Sequence, residues 1–342
     1  MTVLLTTDTI GGVWNFTLSL ARALPFRVHI ATMGRKLSAA QRLEISEFPF
    51  EESEFPLEWM PNPWAGIDRA GEWLLALERK IKPDILHHNT VALAHLPFQA
   101  PSVLTVHSCV LSWWEAVKGE QAPQEWNEYR RRVTRSVRAA AEVIAPSAEM
   151  LLAVERIYGL GDRGRVVPNF APNLSKRTQF CPPKEPFVFA AGRAWDEAKN
   201  LAALRRVAPR LSWPVHIAGA DTELGYLEAS EITGWYARAA IYAWPAKYEP
   251  FGLSVLEAAQ HGCALVLGDI PSLRENWDGA ALFVRTDEEL FSAIQSLIAD
   301  CNLRNELGSN AQNRSERFQA KTTVQGYSAA YAEVLSGVLC AS

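Results

Sequence analysis

An α/β protein of two doubly wound domains facing each other across a cleft is the fold class that this sequence predicts. Three observations predict it. Short, continuously apolar runs alternate with longer helical patterns, the signature of parallel strands covered on both faces. The alternation breaks once, between Pro168 and Pro186, where five prolines fall with no helical period, and then restarts. Both halves also open in the same way, with a strand, a glycine-bearing loop and a helix: VLLTTDTIGGVWNF in the first, FVFAAGRAWDEAKNL in the second.

The elements follow in order. TVLLTT reads as a strand, and VWNFTLSLARAL as a helix with Val13, Phe16, Leu20 and Leu24 on one face. FRVHIATM, DILHHNT, SVLTVHS and EVIAPS are the further strands of the first half, with IDRAGEWLLALERKI and EWNEYRRRVTRSVRAAA as helices between them. The second half runs FVFAAG (strand), AKNLAALRRVAPRL (helix), PVHIAG and AAIYAWP (strands), SVLEAAQHG (helix), CALVLGD and AALFV (strands). Helices fill the rest, ending in TVQGYSAAYAEVLSGVL. The expected domains are therefore residues 1–170 and 187–321, joined by a linker and hinge over 171–186.

Composition narrows the function. The chain has 342 residues, 48% hydrophobic and 21% charged, so it buries real cores and is neither disordered nor fibrous. A net charge of −4 argues against a general nucleic-acid binder. Five arginines crowd the ten residues ending at Arg138. The ordinary meaning of such a run is a solvated helix face. The alternative is an anionic acceptor or peripheral contact with the inner face of a membrane through the stretch from Arg130 to Arg138. Cys109, Cys181, Cys263, Cys301 and Cys340 are odd in number and scattered, which suits reduced thiols in a cytoplasm. The start, MTVLLTTDTIGG, lacks the charge pattern of a secretory leader, and no apolar run approaches the roughly 18 residues of a membrane span.

In open parallel sheets, ligands sit outside the carboxyl ends of the strands, and the candidate residues all follow strands. Gly11 and Gly12 open a helix where bare backbone lets a ligand approach and the first amides point outward. With Asn15 where a third glycine would stand, this is not the dinucleotide fingerprint. Arg193 and Lys199 flank an acidic loop. They can clamp a diphosphate, or pair with Asp196 and Glu197 as surface ion pairs. His107 closes SVLTVH, where an imidazole can donate to a sugar hydroxyl or a carbonyl, or serve as a hydrogen-bonded structural residue. His87, His88 and His95 lack metal-site spacing, so no metal is expected. In YEPFGLSVLEAAQHG, Pro250 forbids a helix through Glu249, which caps the strand AAIYAWP. The helix is expected to start near Ser254 as N-cap, with Glu257 in its first turn. The amides around Phe251, Gly252 and Leu253 can take phosphate, and the two glutamates hydroxyls on either side. Alternatively, Glu257 is an acid favoured by the helix macrodipole.

YEPFGLSVLEA resembles the paired-glutamate motif of the retaining, nucleotide-sugar-dependent glycosyltransferases of family 4, group 1, whose GT-B fold is two Rossmann-like domains. DTIGGVW, GRAWDEAKN, VIAPSAEM, VVPNF and GCALVLGDIPSLRENWDGAALFV are similar to further family segments in the same order. The resemblance implies that Glu257 accepts from the ribose hydroxyls. Glu249 faces the donor sugar, and Arg193 and Lys199 neutralise the leaving diphosphate. Amides at Gly12 and at Phe251, Gly252 and Leu253 bind sugar or phosphate, and His107 contacts a donor-sugar hydroxyl. It also implies a nucleoside-diphosphate sugar as co-substrate, no metal or other cofactor, an unidentified glycan, lipid-linked or small-molecule acceptor, and a final helix (about 322–342) crossing back to the first domain. Three features are the chain's own. Arg193 and Lys199 are six positions apart. The stretch between PVHIAGA and AAIYAWP is short, so the nucleoside base is not specified. Trp113 and Trp114 follow His107, where they either stack on a sugar acceptor or anchor a loop on the core. An epimerase of the same fold and a non-catalytic nucleotide-sugar-binding protein are the alternative functions. A hydrolase with a carboxylate pair fits least, since its acids must flank one bond.

Overall fold

A computed structural model describes residues 1–171 and 183–341; residues 172–182, most of the expected linker and hinge, lie outside the described residues. Contacts group the chain into two units. One comprises Met1–Glu115, Glu120–Asn169 and Ala320–Ser342, and the other Ala116–Gly119 and Phe170–Gln319.

The first unit holds β1 (Thr2–Asp8), α1 (Gly12–Ala23), β2 (Arg27–Met33), α2 (Ala39–Ile45), β3 (Phe50–Glu52), α3 (Trp64–Ile81), β4 (Ile85–His88) and β5 (Ser102–Thr105). α4 (Val110–Lys118, all but its last three residues in this unit), α5 (Asn127–Ala139), β6 (Glu142–Ala145), α6 (Ala148–Tyr158) and β7 (Gly164–Val166) follow. Its strands form one parallel sheet in the order β3-β2-β1-β4-β5-β6-β7. β4 and β5 are buried along their whole length, which is why ILHH and SVLT read as continuous runs rather than alternating ones. The edge strands FEE and GRV carry no such run. They are three residues each and bear charge, as suits edges that must not pair further.

In α5 two arginines of the run, Arg131 and Arg132, are paired with carboxylates. Glu128 accepts from Arg131 and Arg132, and Arg132 also reaches Asp68 and lies 4.9 Å over the Trp64 ring.

The C-terminal helix α13 (Ala320–Ala341) belongs to this unit and is fixed there by polar as well as apolar contacts. Tyr331 and Tyr327 are fully buried; the Tyr331 hydroxyl meets His87 Nδ1 at 2.7 Å, and Tyr327 lies 3.2 Å from the Thr105 hydroxyl. Thr323 donates to the Pro168 carbonyl at 2.7 Å. No described helix is long and apolar enough to cross a membrane.

The second unit runs β8 (Glu185–Ala191), α7 (Leu201–Val207), β9 (Val215–Ala218), α8 (Ala229–Arg238), β10 (Ala239–Trp244), α9 (Leu253–Gln260), β11 (Ala264–Gly268), α10 (Pro271–Trp277), β12 (Ala281–Val284), α11 (Asp287–Ala299) and α12 (Cys301–Ser315). Its parallel sheet has the order β12-β11-β10-β8-β9, so β8 and β10, which carry the two candidate loops, are neighbours. Every residue of β10 and β11 is buried. Two glycines let the loops approach: a Cβ at Gly268 would lie 2.0 Å from the Ala246 carbonyl oxygen, and one at Gly192 would lie 2.3 Å from Trp244 Cη2.

Candidate active site

In the second unit, the loops after β8 and β10 are stitched together by backbone. Lys247 and Tyr248 both donate to the Ala198 carbonyl, at 2.8 and 3.3 Å, and the Asn200 side chain donates to the Pro245 carbonyl at 3.0 Å. A short 3-10 turn, Glu197–Lys199, ends at Asn200 in the left-handed region (φ 52°), and this turns Lys199 toward the second loop. Its ammonium meets Glu249 Oε2 at 2.9 Å, with side chains only 11% and 14% exposed. The same carboxylate oxygen accepts from Trp244 Nε1 at 3.1 Å, and the Ser272 hydroxyl holds the Glu249 carbonyl at 2.6 Å. Lys199 therefore pairs with Glu249 and not with Glu197. Arg193 takes the surface pairing expected as the alternative, donating to Asp196 at 2.9 Å with its guanidinium 5.3 Å from the Trp195 ring centroid. Asp196 is the buried member of that pair and also caps the 3-10 turn.

Several local expectations need correcting. Glu249 does not cap β10; it stands five residues beyond Trp244, in the loop. Ser254 is not the N-cap of α9. Gly252 is, at φ 89°, a conformation that strains any residue with a Cβ, and the helix starts one residue later at Leu253. Glu257 consequently lies in the second turn, too far along for the macrodipole to account for it. Burial pushes its carboxyl up to about 7, with the neighbouring Tyr236 hydroxyl drawing it partly back. Gly252 and Leu253 open α9, whose first amides have no intrahelical acceptor. The Phe251 side chain is core, packed edge-on against Phe318 at 5.3 Å, so only its backbone is available to a ligand.

In the first unit, Gly11 (φ 71°) is the N-cap of α1, and the Gly12 amide begins the helix. His107 lies two residues past the end of β5 rather than on it. Its ring packs on Phe16 of α1 at 4.9 Å, and its Nε2 meets Asn89 Oδ1 at 2.9 Å. Burial pushes the imidazole down to about 4, so at neutral pH it carries one proton. Its Nε2 is engaged by Asn89, which leaves Nδ1 as the ring nitrogen that can meet a ligand. Trp113 and Trp114 lie on α4, not on a loop; they pack edge to face at 5.8 Å, each partly exposed.

The structure thus brings Arg193, Lys199, Glu249, Gly252, Leu253 and Glu257 onto the adjoining β8 and β10 loops and α9 of one unit, and Gly12 and His107 to one edge of the other. Sequence reasoning missed Trp244, Tyr236 and Asn89. Trp244 ended an apolar strand and read as core, and Asn89 closed DILHHN without a motif of its own. Among the described residues no group of three or more His, Cys, Asp or Glu is placed to hold a metal ion.

Comparison with known proteins gives this geometry a family. Residues 10–172 match Glycosyltransferase Family 4, and residues 185–300 match Glycosyl transferases group 1. The glycogen synthase of Mycobacterium tuberculosis is 26% identical over 314 residues, covering 78% of this chain and 72% of its own. The D-inositol 3-phosphate glycosyltransferase of Streptomyces bingchenggensis is 27% identical over 111 residues, covering 31% of this chain and 24% of its own. Among solved structures, sucrose-phosphate synthase from Thermosynechococcus elongatus superposes with a TM-score of 0.78 at 18% identity, covering 98% of this chain and all of that one. Anabaena Alr3699/HepE in complex with UDP-glucose superposes at 0.75, also at 18% identity with 98% and 100% coverage. The two family matches between them take in most of the chain, and it belongs to the family 4, group 1 glycosyltransferases of GT-B fold.

Proposed function

We propose that this glycosyltransferase moves a sugar from a nucleoside-diphosphate sugar to an acceptor hydroxyl, with retention of anomeric configuration and without a metal ion. The observation that carries this is the Lys199–Glu249 pair, held by Trp244 in the loop that leads into Gly252 and Leu253, with Arg193 on the adjoining loop. An ammonium and a guanidinium beside free helical amides suit a diphosphate, and each cation now rests on a carboxylate that a diphosphate can replace. Glu257 lies one helical turn further on, where a ribose would sit with its hydroxyls donating to the carboxylate. Glu249, once released by Lys199, is an acceptor for the donor sugar. The solved relative HepE binds UDP-glucose, and the sequence relatives are named for sugar transfer, which supports a nucleotide sugar as donor.

In the proposed reaction the acceptor oxygen bonds to the anomeric carbon on the face that the diphosphate leaves, as the bond to the phosphate oxygen breaks. The acceptor proton passes to the departing phosphate. Arg193 and Lys199 offset the charge that builds on that phosphate, so positioning and electrostatics carry the rate. A thermal-shift screen against UDP, GDP, ADP and their sugars tests the donor class, since a ligand of the native state raises the melting temperature by mass action. One specific nucleoside diphosphate should stand out. Product NMR should then show the donor's anomeric configuration kept, and EDTA should leave the rate unchanged. No shift with any nucleotide sugar would overturn the proposal. Conversion of the donor without acceptor would point to epimerisation instead, and binding without turnover on any acceptor to a non-catalytic binder.

A further inference from the structure

The hydrogen bonds around Asn89 fix which nitrogen of His107 carries the proton. Asn89 Nδ2 lies 2.9 Å from the Thr6 carbonyl oxygen and 3.2 Å from the Thr17 hydroxyl, while its backbone amide donates to the Thr6 hydroxyl at 3.0 Å. A carbonyl oxygen only accepts, so the amide nitrogen must face Thr6 and the amide oxygen must face His107. That oxygen, also only an acceptor, sits 2.9 Å from His107 Nε2, which must therefore be the N–H. Phe16 of α1 closes on the ring edge-to-face at 4.9 Å and holds its plane.

We propose that Asn89 is a positioning residue that locks His107 in the Nε2–H tautomer, so that Nδ1 is a fixed acceptor selecting a ligand group that donates a hydrogen bond, such as a sugar hydroxyl. The ligand half of this rests on the glycosyltransferase mechanism above; the tautomer half does not. An acceptor nitrogen discriminates more sharply than an ambivalent group. It takes a hydroxyl and rejects a bare ether oxygen, a fluorine or a phosphate oxygen, each of which only accepts. Burial agrees with this arrangement, since the imidazole stays neutral near pH 7 and Nδ1 keeps its lone pair.

The test is a two-bond 1H–15N correlation on the full chain labelled with 15N-histidine, with the His107 signals assigned by their loss in His107→Gln. A neutral Nε2–H pattern that persists from about pH 5.5 to 7.5 is expected. A Nδ1–H pattern, averaging between tautomers, or an imidazolium at neutral pH would overturn the proposal. Asn89→Ala should release the ring to exchange between tautomers. With UDP and UDP-glucose as probes, it should lower turnover about tenfold while leaving the affinity for UDP itself within about twofold. Should Asn89→Ala not fold, the wild-type spectrum alone decides the tautomer. If wild-type protein turns over no nucleotide sugar, the proposed mechanism fails while the spectrum still settles the role of Asn89. An unaltered His107 spectrum in folded Asn89→Ala would assign the tautomer to something other than Asn89.

Discussion

The two units solve the same problem, presenting polar groups at the carboxyl edge of a buried parallel sheet, in opposite ways. The second unit uses charge. Lys199 rests on Glu249 and Arg193 on Asp196, and in the proposed reaction each cation exchanges its carboxylate for the diphosphate. The first unit uses neutral groups. His107, Asn89, Thr6 and Thr17 form a chain of hydrogen bonds in which donors and acceptors are already assigned, and burial keeps the imidazole uncharged. A charged cluster suits a ligand that carries charge and leaves with more of it. A neutral, pre-assigned network suits recognition of a ligand whose charge does not change.

The contrast is tested most severely by Lys199→Ala. Removing the ammonium would, in the proposed reaction, take charge stabilisation away from the leaving phosphate, and it leaves Glu249 with Trp244 as its neutral donor. Steady-state kinetics should show kcat/KM falling by about 10²- to 10³-fold. The melting temperature should fall as well, by the equivalent of about 1–3 kcal/mol for the lost buried partner. Lys199→Arg keeps the charge and should recover part of the rate but not all, because the planar fork does not reproduce the ammonium's single contact with Glu249. Turnover unchanged in Lys199→Ala would remove the charged cluster from the chemistry.

Gly192→Ala probes the packing beneath that cluster. The new Cβ would sit 2.3 Å from the Trp244 ring, so the indole, and with it the donor to Glu249, must move. About 1–3 kcal/mol of stability and ten- to a hundredfold of rate should be lost. Gly234, in α8 with nothing near its Cβ position, is the control: Gly234→Ala should stabilise by about 0.5–1 kcal/mol, read by urea denaturation.

How much of this was legible beforehand differs between backbone and side chains. DILHHNT, SVLTVHS and AAIYAWP gave strands because central parallel strands are apolar on both faces. FEE and GRV gave none because edges are short and charged. The residues of the charged cluster were legible as types at strand ends. Which carboxylate Lys199 would meet was not, since it depends on the backbone stitching of Ala198 to Lys247 and Tyr248. The start of α9 was misplaced for a related reason. A serine near a helix start is a good cap on average, but here a glycine at positive φ supplies the turn. Asn89 was invisible because its importance lies in partners 72 and 83 residues away in sequence.

A pH titration separates the units next. Glu257 has its carboxyl raised to about 7 from the ordinary 4.5 by burial, so in the ligand-free protein it is neutral below that pH. If ribose hydroxyls donate to the carboxylate, binding releases a proton. Affinity for a nucleotide sugar should then rise about tenfold per unit up to roughly pH 7 and level off above it. A nucleotide sugar is the right probe, because the terminal phosphate of a free nucleoside diphosphate titrates at roughly pH 6 and would mimic the effect. Stability moves the other way. A raised carboxyl contributes stability below pH 4.5 that is lost as pH rises through about 7, so the ligand-free protein should lose melting temperature relative to Glu257→Gln across that window. Calorimetry in buffers of different ionisation enthalpy reads the released proton. Glu257→Gln should abolish it, whereas His107→Gln, in the neutral network, should leave it intact. Proton release lost in His107→Gln would mean that the titrating group sits in the wrong unit.

The smallest expected effect is that of Trp244→Phe. Phenylalanine keeps an aromatic ring against Gly192 and removes the indole N–H that donates to Glu249 Oε2 at 3.1 Å. Lys199 still holds the same oxygen at 2.9 Å, so the carboxylate keeps its charged partner and loses only a neutral one. One neutral donor contributes about 1 kcal/mol, so kcat should fall roughly fivefold with nucleotide affinity unchanged. That modest loss is what a cluster built to exchange partners should show, because in the proposed reaction Glu249 leaves Lys199 when a diphosphate arrives, and its resting orientation then matters little. A loss as large as that of Lys199→Ala would carry the opposite lesson. It would make the indole, rather than the ammonium, the group that sets the Glu249 geometry, and the second unit would then depend on fixed hydrogen bonds as much as the first does.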